Sequence, residues 1–310
     1  MTALIVEMAG PQACVQDGGR FGVRHLGLTQ GGALDWIAQY WANWMLGNHL
    51  DAAVVEITLG GLQLRCQADG WLALAGADLG ATLDGQLLNP WQPFRVYPGQ
   101  RLCFSAPRLG ARAYLAVPGG VLAPLLAGSC ATVAREGVGG LKGTGRGLQV
   151  DERLAWEGVA QAVRAVPPSR VPDLRAPALL ELVLGAQMGG FKGQSLFDAF
   201  NQAWTVDTRS DRMGLRLSGT PLCYDGPGLV SEGIPLGAVQ VPPDGQPIIL
   251  LNDRQTIGGY PRLGALSPLA VARLAQCLPG ESVHFLPQVA SIARQRHLQA
   301  VNEIRLYGCI

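Results

Sequence analysis

The chain has 310 residues, 48% of them hydrophobic and only 15% charged, with 24 basic against 23 acidic side chains and a net charge of +1. That balance leaves no basic footprint for nucleic acid or an anionic membrane, and no stretch reaches the roughly 18 apolar residues of a membrane-spanning helix. Seven cysteines, none in Cys-x-x-Cys pairs, and four histidines without metal-ligand spacing argue against zinc and against a disulfide framework.

Forty-two glycines and 21 prolines imply many short strands and tight turns, so a mainly β protein with a few helices is expected. The N-terminus carries Glu7 and no basic-then-apolar run, and reduced core cysteines fit a cytoplasmic protein. Leu4 to Met8 reads as a strand. Behind it, Gln16, Asp17 and Arg20 set an amide, a carboxylate and a guanidinium in a glycine-rich loop. Either Asp17 and Arg20 pair within a turn, or Arg20 offers its fork to a carboxylate or phosphate. Leu34, Ile37, Trp41, Trp44 and Met45 follow the helical period, so Ala33 to Leu46 is an amphipathic helix stopped by Gly47, with Asp35 favoured in its first turn by the helix dipole. Ala52 to Leu64 reads as one strand. Glu56 lies inside it between Val55 and Ile57, and an acid there either meets a basic partner or faces a cleft. Asp84-Gly85 marks a hairpin, Arg112 to Val117 a strand, and the glycine-rich stretch from Gly128 to Gly147 lacks the Gly-Lys-Ser/Thr of a phosphate loop.

Proline and polar residues in Pro167 to Asp173 place a linker at 166–176, between a β-rich half at 1–165 and a second half at 177–310. Leu180 to Leu184 reads as a strand and Phe197 to Trp204 as a short helix. Arg212 stands beside Asp211 in a polar loop that runs into a strand, and Ser267-Pro268 opens the last clear helix, Leu269 to Leu278. The densest stretch is Val230 to Gly264. Ala238 to Val241 and Pro247 to Leu251 form a hairpin turned at Pro243-Asp244-Gly245, and its second strand, apolar on both faces, runs into Asn252-Asp253-Arg254-Gln255-Thr256. Gly258 and Gly259 then offer bare backbone N–H groups beside the flat wall of Tyr260. Glu232 lies upstream, and Gln240, interrupting an apolar strand, is either a core bridge or a ligand contact. Acids, arginines and amides in glycine-rich loops suit a small amide or acid, with a carboxylate as proton acceptor.

Six segments in chain order carry a resemblance: Gln16-Asp17-Gly18-Gly19-Arg20-Phe21-Gly22, Gly32-Ala33-Leu34-Asp35, Glu56-Ile57-Thr58-Leu59-Gly60-Gly61, Ser210-Asp211-Arg212-Met213-Gly214, Ser231-Glu232-Gly233 and Gln255-Thr256-Ile257-Gly258-Gly259-Tyr260-Pro261. Together they resemble the family of 5-oxoprolinase C subunits, also called KipA-like or allophanate hydrolase subunit 2 proteins. The resemblance implies a cyclophilin-like β-barrel architecture and a part in the ATP-dependent opening of the lactam of 5-oxo-L-proline to L-glutamate. It implies partnership with a KipI-like B subunit, together with an A subunit of the 5-oxoprolinase. The ATP site would lie on, or be shared with, those partners, and the chain would be inactive alone. Asp253, Glu232, Asp17 and Arg20 are then expected in catalysis. Gln16, Asp35, Glu56, Arg212, Gln240, Gln255, Thr256, Gly258, Gly259 and Tyr260 are expected to bind substrate. Two alternatives accompany the family: the carboxyltransferase component of a biotin-dependent urea carboxylase, with biotin carried elsewhere because this chain has no Met-Lys-Met-type attachment segment, and a non-catalytic regulator that binds a KipI-like protein. Gly31 in place of a common Ser, Ile257 in place of a second Thr, and Val150-Asp151 in place of Gly-Asp depart from the family pattern.

Overall fold

The structure is a computed structural model that describes residues 2–175 and 177–307. The chain forms two compact units, the first running up to Phe21, then over Gly31–Leu174 and from Ile304 on, the second comprising Gly22–Gln30 and Arg175–Glu303. Two short segments therefore lie across the single boundary expected at 166–176. Gly22–Gln30 belongs with the later residues because Arg24 donates to the carbonyls of Ile234, Gln255 and Thr256. Ile304 is buried with Trp41 and Trp44, and Tyr307 meets both indoles edge-on.

In the first unit the strands are β1 (Thr2–Ala9), β2 (Ala13–Gln16), β3 (Val54–Thr58), β4 (Leu62–Cys66), β5 (Gly70–Asp78), β6 (Thr82–Leu83), β7 (Gln86–Leu87), β8 (Gln92–Val96), β9 (Arg101–Cys103), β10 (Leu109–Ala116) and β11 (Arg153–Trp156). They build a six-stranded sheet in the order β11-β1-β4-β9-β6-β7 and a five-stranded sheet in the order β2-β3-β10-β5-β8. Leu4, Val6, Leu62 and Leu64 of one sheet share a core with Val55, Ile57, Leu72 and Leu74 of the other. Helix α1 (Trp36–Leu46) covers the remaining face of the five-stranded sheet, where Ala73, Ala75 and Ala116 leave room for Trp41 and Met45. Burial on both faces explains why β5 and β10 carry so few polar residues. As expected, Gly47 closes the helix in the left-handed conformation, while Asp35 sits one position outside it as the N-cap and accepts from the Ala38 amide at 3.0 Å.

The single strand expected over Ala52 to Leu64 is two strands in different sheets. Leu59, Gly60 and Gly61 all have positive φ, and a Cβ on Gly60 would stand 2.5 Å from the Ser105 carbonyl oxygen, so the chain turns sharply there.

The second unit contains β12 (Ala178–Leu184), α2 (Gly193–Asn201), β13 (Trp204–Val206), β14 (Gly214–Ser218), β15 (Glu232–Gly233), β16 (Ala238–Gln240), β17 (Ile248–Leu250), β18 (Ile257–Gly258), β19 (Arg262–Leu266), α3 (Pro268–Leu274), β20 (Ser282–Gln288) and α4 (Ala290–Leu306). Seven of these strands close a barrel in the order β12-β19-β16-β17-β14-β13-β20, and β15 pairs with β18 outside it. The fold is thus mainly β with four α-helices among the described residues, one half of it a closed barrel. The β16–β17 hairpin is the one read from the sequence. The helix expected over Phe197 to Trp204 instead ends at Asn201, because the fully buried Trp204 begins a strand and donates its indole N–H to the Ala199 carbonyl. The longest helix, α4, was not anticipated. Ile292 and Leu298 are exposed on it, so its sequence lacks the apolar stripe that announces a surface helix.

Where β19 passes β12, a Cβ on Gly264 would lie 2.1 Å from the Val183 carbonyl oxygen. Gly264→Ala is expected to cost about 3 kcal/mol or more, the upper range of overpacking, read as a fall in the urea midpoint. Full retention of the midpoint would mean that the two strands do not pack this closely.

All described cysteines are free. Cys14, Cys66, Cys130 and Cys277 are buried, Cys103 is half-buried, and Cys223 is exposed, an exception to the expectation of core cysteines; Cys309 lies outside the described residues. Burial pushes the Cys66 thiol up to about 11 and raises Cys130 further, with the neighbouring Asp17 adding to the effect. Iodoacetamide at neutral pH is therefore expected to label Cys223 first, and mass spectrometry of a short reaction that found Cys66 or Cys130 modified before it would contradict this packing. Among the described residues no helix is long and apolar enough to cross a membrane.

Candidate functional site

In the first unit three of the sequence motifs meet at the start of α1. Four successive backbone N–H groups, from Gly32 to Asp35, each find a different acceptor. Gly32 donates to Gln16 Oε1 at 3.2 Å, Ala33 to the Asp17 carbonyl at 3.0 Å, Leu34 to Glu56 Oε2 at 3.0 Å and Asp35 to Tyr114 Oη at 2.8 Å. Tyr114 donates in turn to Glu56 Oε2 at 2.9 Å, and Arg112 Nε lies 4.0 Å from Oε1. Burial first, and the Glu56 charge next, hold the Tyr114 phenol well above its ordinary value, so it stays a neutral donor. Glu56 thus has its partners inside the protein.

Asp17 and Arg20 do not bond each other. Asp17 Oδ1 accepts from Gly19 N at 2.8 Å and Ser129 Oγ at 2.6 Å, and Oδ2 accepts from Cys130 N at 2.7 Å. Arg20, only 1% exposed, donates to the carbonyls of Ala131 at 2.6 Å and Ser129 at 3.4 Å, while its Nε and Nη1 have no partner. Gly139 makes room for it, since a Cβ there would stand 2.5 Å from Nη2. Both side chains clasp the 129–131 segment.

In the second unit the β15–β18 ribbon pairs Glu232 with Gly258. Glu232 Oε1 accepts from Arg262 Nη2 at 2.5 Å and from Gln187 Nε2 at 2.7 Å, and Gln187 Oε1 accepts from the Arg262 amide at 2.7 Å. Using both ends of the Gln187 amide fixes its orientation and that of the ion pair. These three residues line a cavity of about 190 Å³ with Pro235, Gly185 and Gly264, and the Glu232 side chain is 46% exposed there. Gln187 and Arg262 were not singled out from the sequence; Arg262 follows the Gly-Gly-Tyr-Pro segment directly, which was the available signal.

Arg212 turns from its sequence neighbour Asp211, whose carboxylate caps the amides of Met213 and Gly214, and grips Asp253 with two bonds of 3.1 Å. Arg24 and Arg254, also not singled out, both donate to the Ile234 carbonyl, at 2.9 and 3.1 Å. Arg254 adds the Leu251 carbonyl, so the loop carrying Asp253, Gln255 and Thr256 is held by guanidinium groups on main-chain oxygens. Burial first, then repulsion from Arg24, depress Arg254 to about 9. Gln240 is 2% exposed and its Nε2 has no partner; a Cβ on Gly258 would come within 3.1 Å of it. The buried Gln255 Oε1 also lacks a partner. Gly259 would place a Cβ 3.4 Å from Ser231 Oγ, and Tyr260, 49% exposed, stands at the rim of a larger cavity of about 550 Å³.

Gln16, Asp17, Arg20, Asp35 and Glu56 therefore share a buried hydrogen-bonded region of the first unit, and in the second Glu232, Gln255, Thr256 and Gly258 lie on one ribbon and loop, with Gln240 at the end of barrel strand β16 beside Gly258. Of the acids expected at the site, Glu232 lines an open cavity. A carboxylate held against a guanidinium in a small pocket can take a proton from a bound amide or water while the guanidinium faces an anionic or carbonyl oxygen.

Residues 26–287 match the carboxyltransferase domain, subdomain A and B. The C subunit of the 5-oxoprolinase of Escherichia coli (strain K12) is 38% identical over 289 residues, 90% of this chain and 89% of that protein. Its counterpart in Haemophilus influenzae is 33% identical over 298 residues, 95% of this chain and 94% of that protein. The crystal structure of the Kluyveromyces lactis urea carboxylase superimposes with a TM-score of 0.91 at 26% identity, over 97% of this chain but only 29% of that much longer one.

Proposed function

The chain belongs to the carboxyltransferase domain family, subdomains A and B, and on that premise we propose that it is the C subunit of a 5-oxoprolinase, acting with its A and B subunits to hydrolyse 5-oxo-L-proline to L-glutamate. The observation that carries this reading is the 38% identity to the Escherichia coli protein, which extends over nine-tenths of both chains. In this reading the cavity beside Glu232 receives the lactam. Arg262 faces the substrate carboxylate or ring carbonyl and Glu232 accepts a proton, while Gln187 fixes both. Asp253, gripped by Arg212, holds the loop that carries Gln255 and Thr256. ATP is consumed by the complex, at a site on or shared with the A and B subunits, and the chain is inactive alone. Reconstitution tests this: glutamate is expected from 5-oxoproline and ATP only when all three subunits are present, and undiminished turnover with this chain omitted would refute it.

The superposition on the urea carboxylase favours a second reading, a carboxyltransferase component that delivers a carboxyl group to urea. It requires a biotinylated partner, and a complex isolated without one would count against it. A KipA-like regulator, the third reading, would bind its KipI-like partner tightly with no turnover.

A further inference from the structure

Beside the barrel, residues 190–192 and 223–225 run antiparallel as a short bridge with Phe191 opposite Tyr224. Lys192 N donates to the Cys223 carbonyl at 3.1 Å and Asp225 N to the Gly190 carbonyl at 2.8 Å, while Phe191 and Tyr224 pack edge-to-face 5.0 Å apart. Cys223 N is held in addition by Ser195 Oγ at 2.8 Å. The main chain thus fixes Lys192 alongside Cys223, and one carboxylate joins their side chains: Asp225 Oδ1 accepts from Cys223 Sγ at 3.3 Å, and Oδ2 lies 3.4 Å from Lys192 Nζ. Cys223 opens on the cavity of about 550 Å³ lined by Tyr260, Pro242 and Pro243, which gives small solutes access to the sulfur, and the other described cysteines are buried or half-buried.

We propose that Cys223 and Lys192 form a reversible covalent cross-link under peroxide, a sulfenamide that locks this bridge beside the larger cavity. Hydrogen peroxide oxidises the thiol to a sulfenic acid; its O–O bond breaks, one oxygen joins sulfur and the other leaves as water. The Lys192 nitrogen then attacks that sulfur, the S–N bond forms and the S–O bond breaks. One ammonium proton leaves with the hydroxyl as water, and the other passes through Asp225 to solvent. A dithiol reductant reverses the step by thiol attack on sulfur, returning the amine and the thiol.

The test is mass spectrometry of the folded chain after hydrogen peroxide. The expected result is an intact mass lower by two hydrogens and a digest peptide joining Lys192 to Cys223, both reversed by dithiothreitol and absent from Cys223→Ser and from Lys192→Arg, which keeps the charge. Circular dichroism of both variants controls for folding. Simple addition of oxygen at Cys223 in the wild type, or the same two-hydrogen loss in Lys192→Arg, would overturn the proposal.

Discussion

Glu56→Ala is expected to destabilise the chain by about 3–5 kcal/mol, the cost of removing one partner from a buried charged network. The substitution leaves the Leu34 amide, the Tyr114 hydroxyl and the Arg112 guanidinium facing a void in a region where Glu56 and Tyr114 are both fully buried. Tyr114→Phe is the milder control, because it removes one acceptor from Asp35 N and one donor to Glu56 and should cost about 1–3 kcal/mol. Urea unfolding followed by tryptophan fluorescence reads both, since Trp41 and Trp44 lie on the helix that this network anchors. Stability of Glu56→Ala within about 1 kcal/mol of wild type would mean that Glu56 is not a strut, and would return it to the cleft that its sequence also allowed.

The second large effect belongs to the pocket of the barrel unit, and it has the opposite signature. Glu232→Gln keeps the shape and hydrogen bonds of the side chain but removes its basicity, so turnover of the reconstituted complex should fall by about 100-fold or more, the contribution of a positioned proton acceptor. Arg262→Ala should weaken kcat/KM by a comparable factor, with Arg262→Lys intermediate because a point charge replaces a fork. Folding stability should scarcely move, because Glu232 is half-exposed and an ion pair of that kind contributes about 0–1 kcal/mol. Steady-state kinetics and urea unfolding of the same preparations separate the two. A loss of stability with unchanged kcat and KM would make the pair structural and remove it from the site.

Much of this was legible in the residues, for local reasons. The helix expected from Ala33, which begins at Trp36, its stop at Gly47 and the hairpin turned near Gly245 follow from short-range signals that tertiary packing did not overrule. The motif residues were visible as oddities, but the oddity did not say why. Gly32-Ala33-Leu34-Asp35 is distinctive because four amides in a row must each meet a separate acceptor, and none of the four acceptors is a near neighbour in the chain. No periodicity reports such a requirement. Glu56 posed a fair alternative, a basic partner inside or a cleft, and the structure keeps it inside, with Arg112 at 4.0 Å and its hydrogen bonds coming from the Tyr114 hydroxyl and the Leu34 amide.

Arg24 and Arg254 escaped notice because an arginine bonded to carbonyls leaves no partner pattern in sequence; their two guanidinium groups share one oxygen contributed by Ile234, far from Arg24 in the chain. Gln187 escaped for the same reason, since its amide links Glu232 and Arg262 from a separate loop. The helix α4 was missed on physical grounds of another kind, because its exposed surface gives no apolar stripe to read.

The sharpest measurement offers the complex two substrates in parallel: 5-oxo-L-proline with ATP, and urea with a carboxylated biotin carrier. A 5-oxoprolinase is expected to make ATP-dependent glutamate from the first, lost when Glu232 becomes glutamine although the subunits still assemble, and no carboxylated urea from the second. Carboxyl transfer to urea without glutamate formation would contradict it.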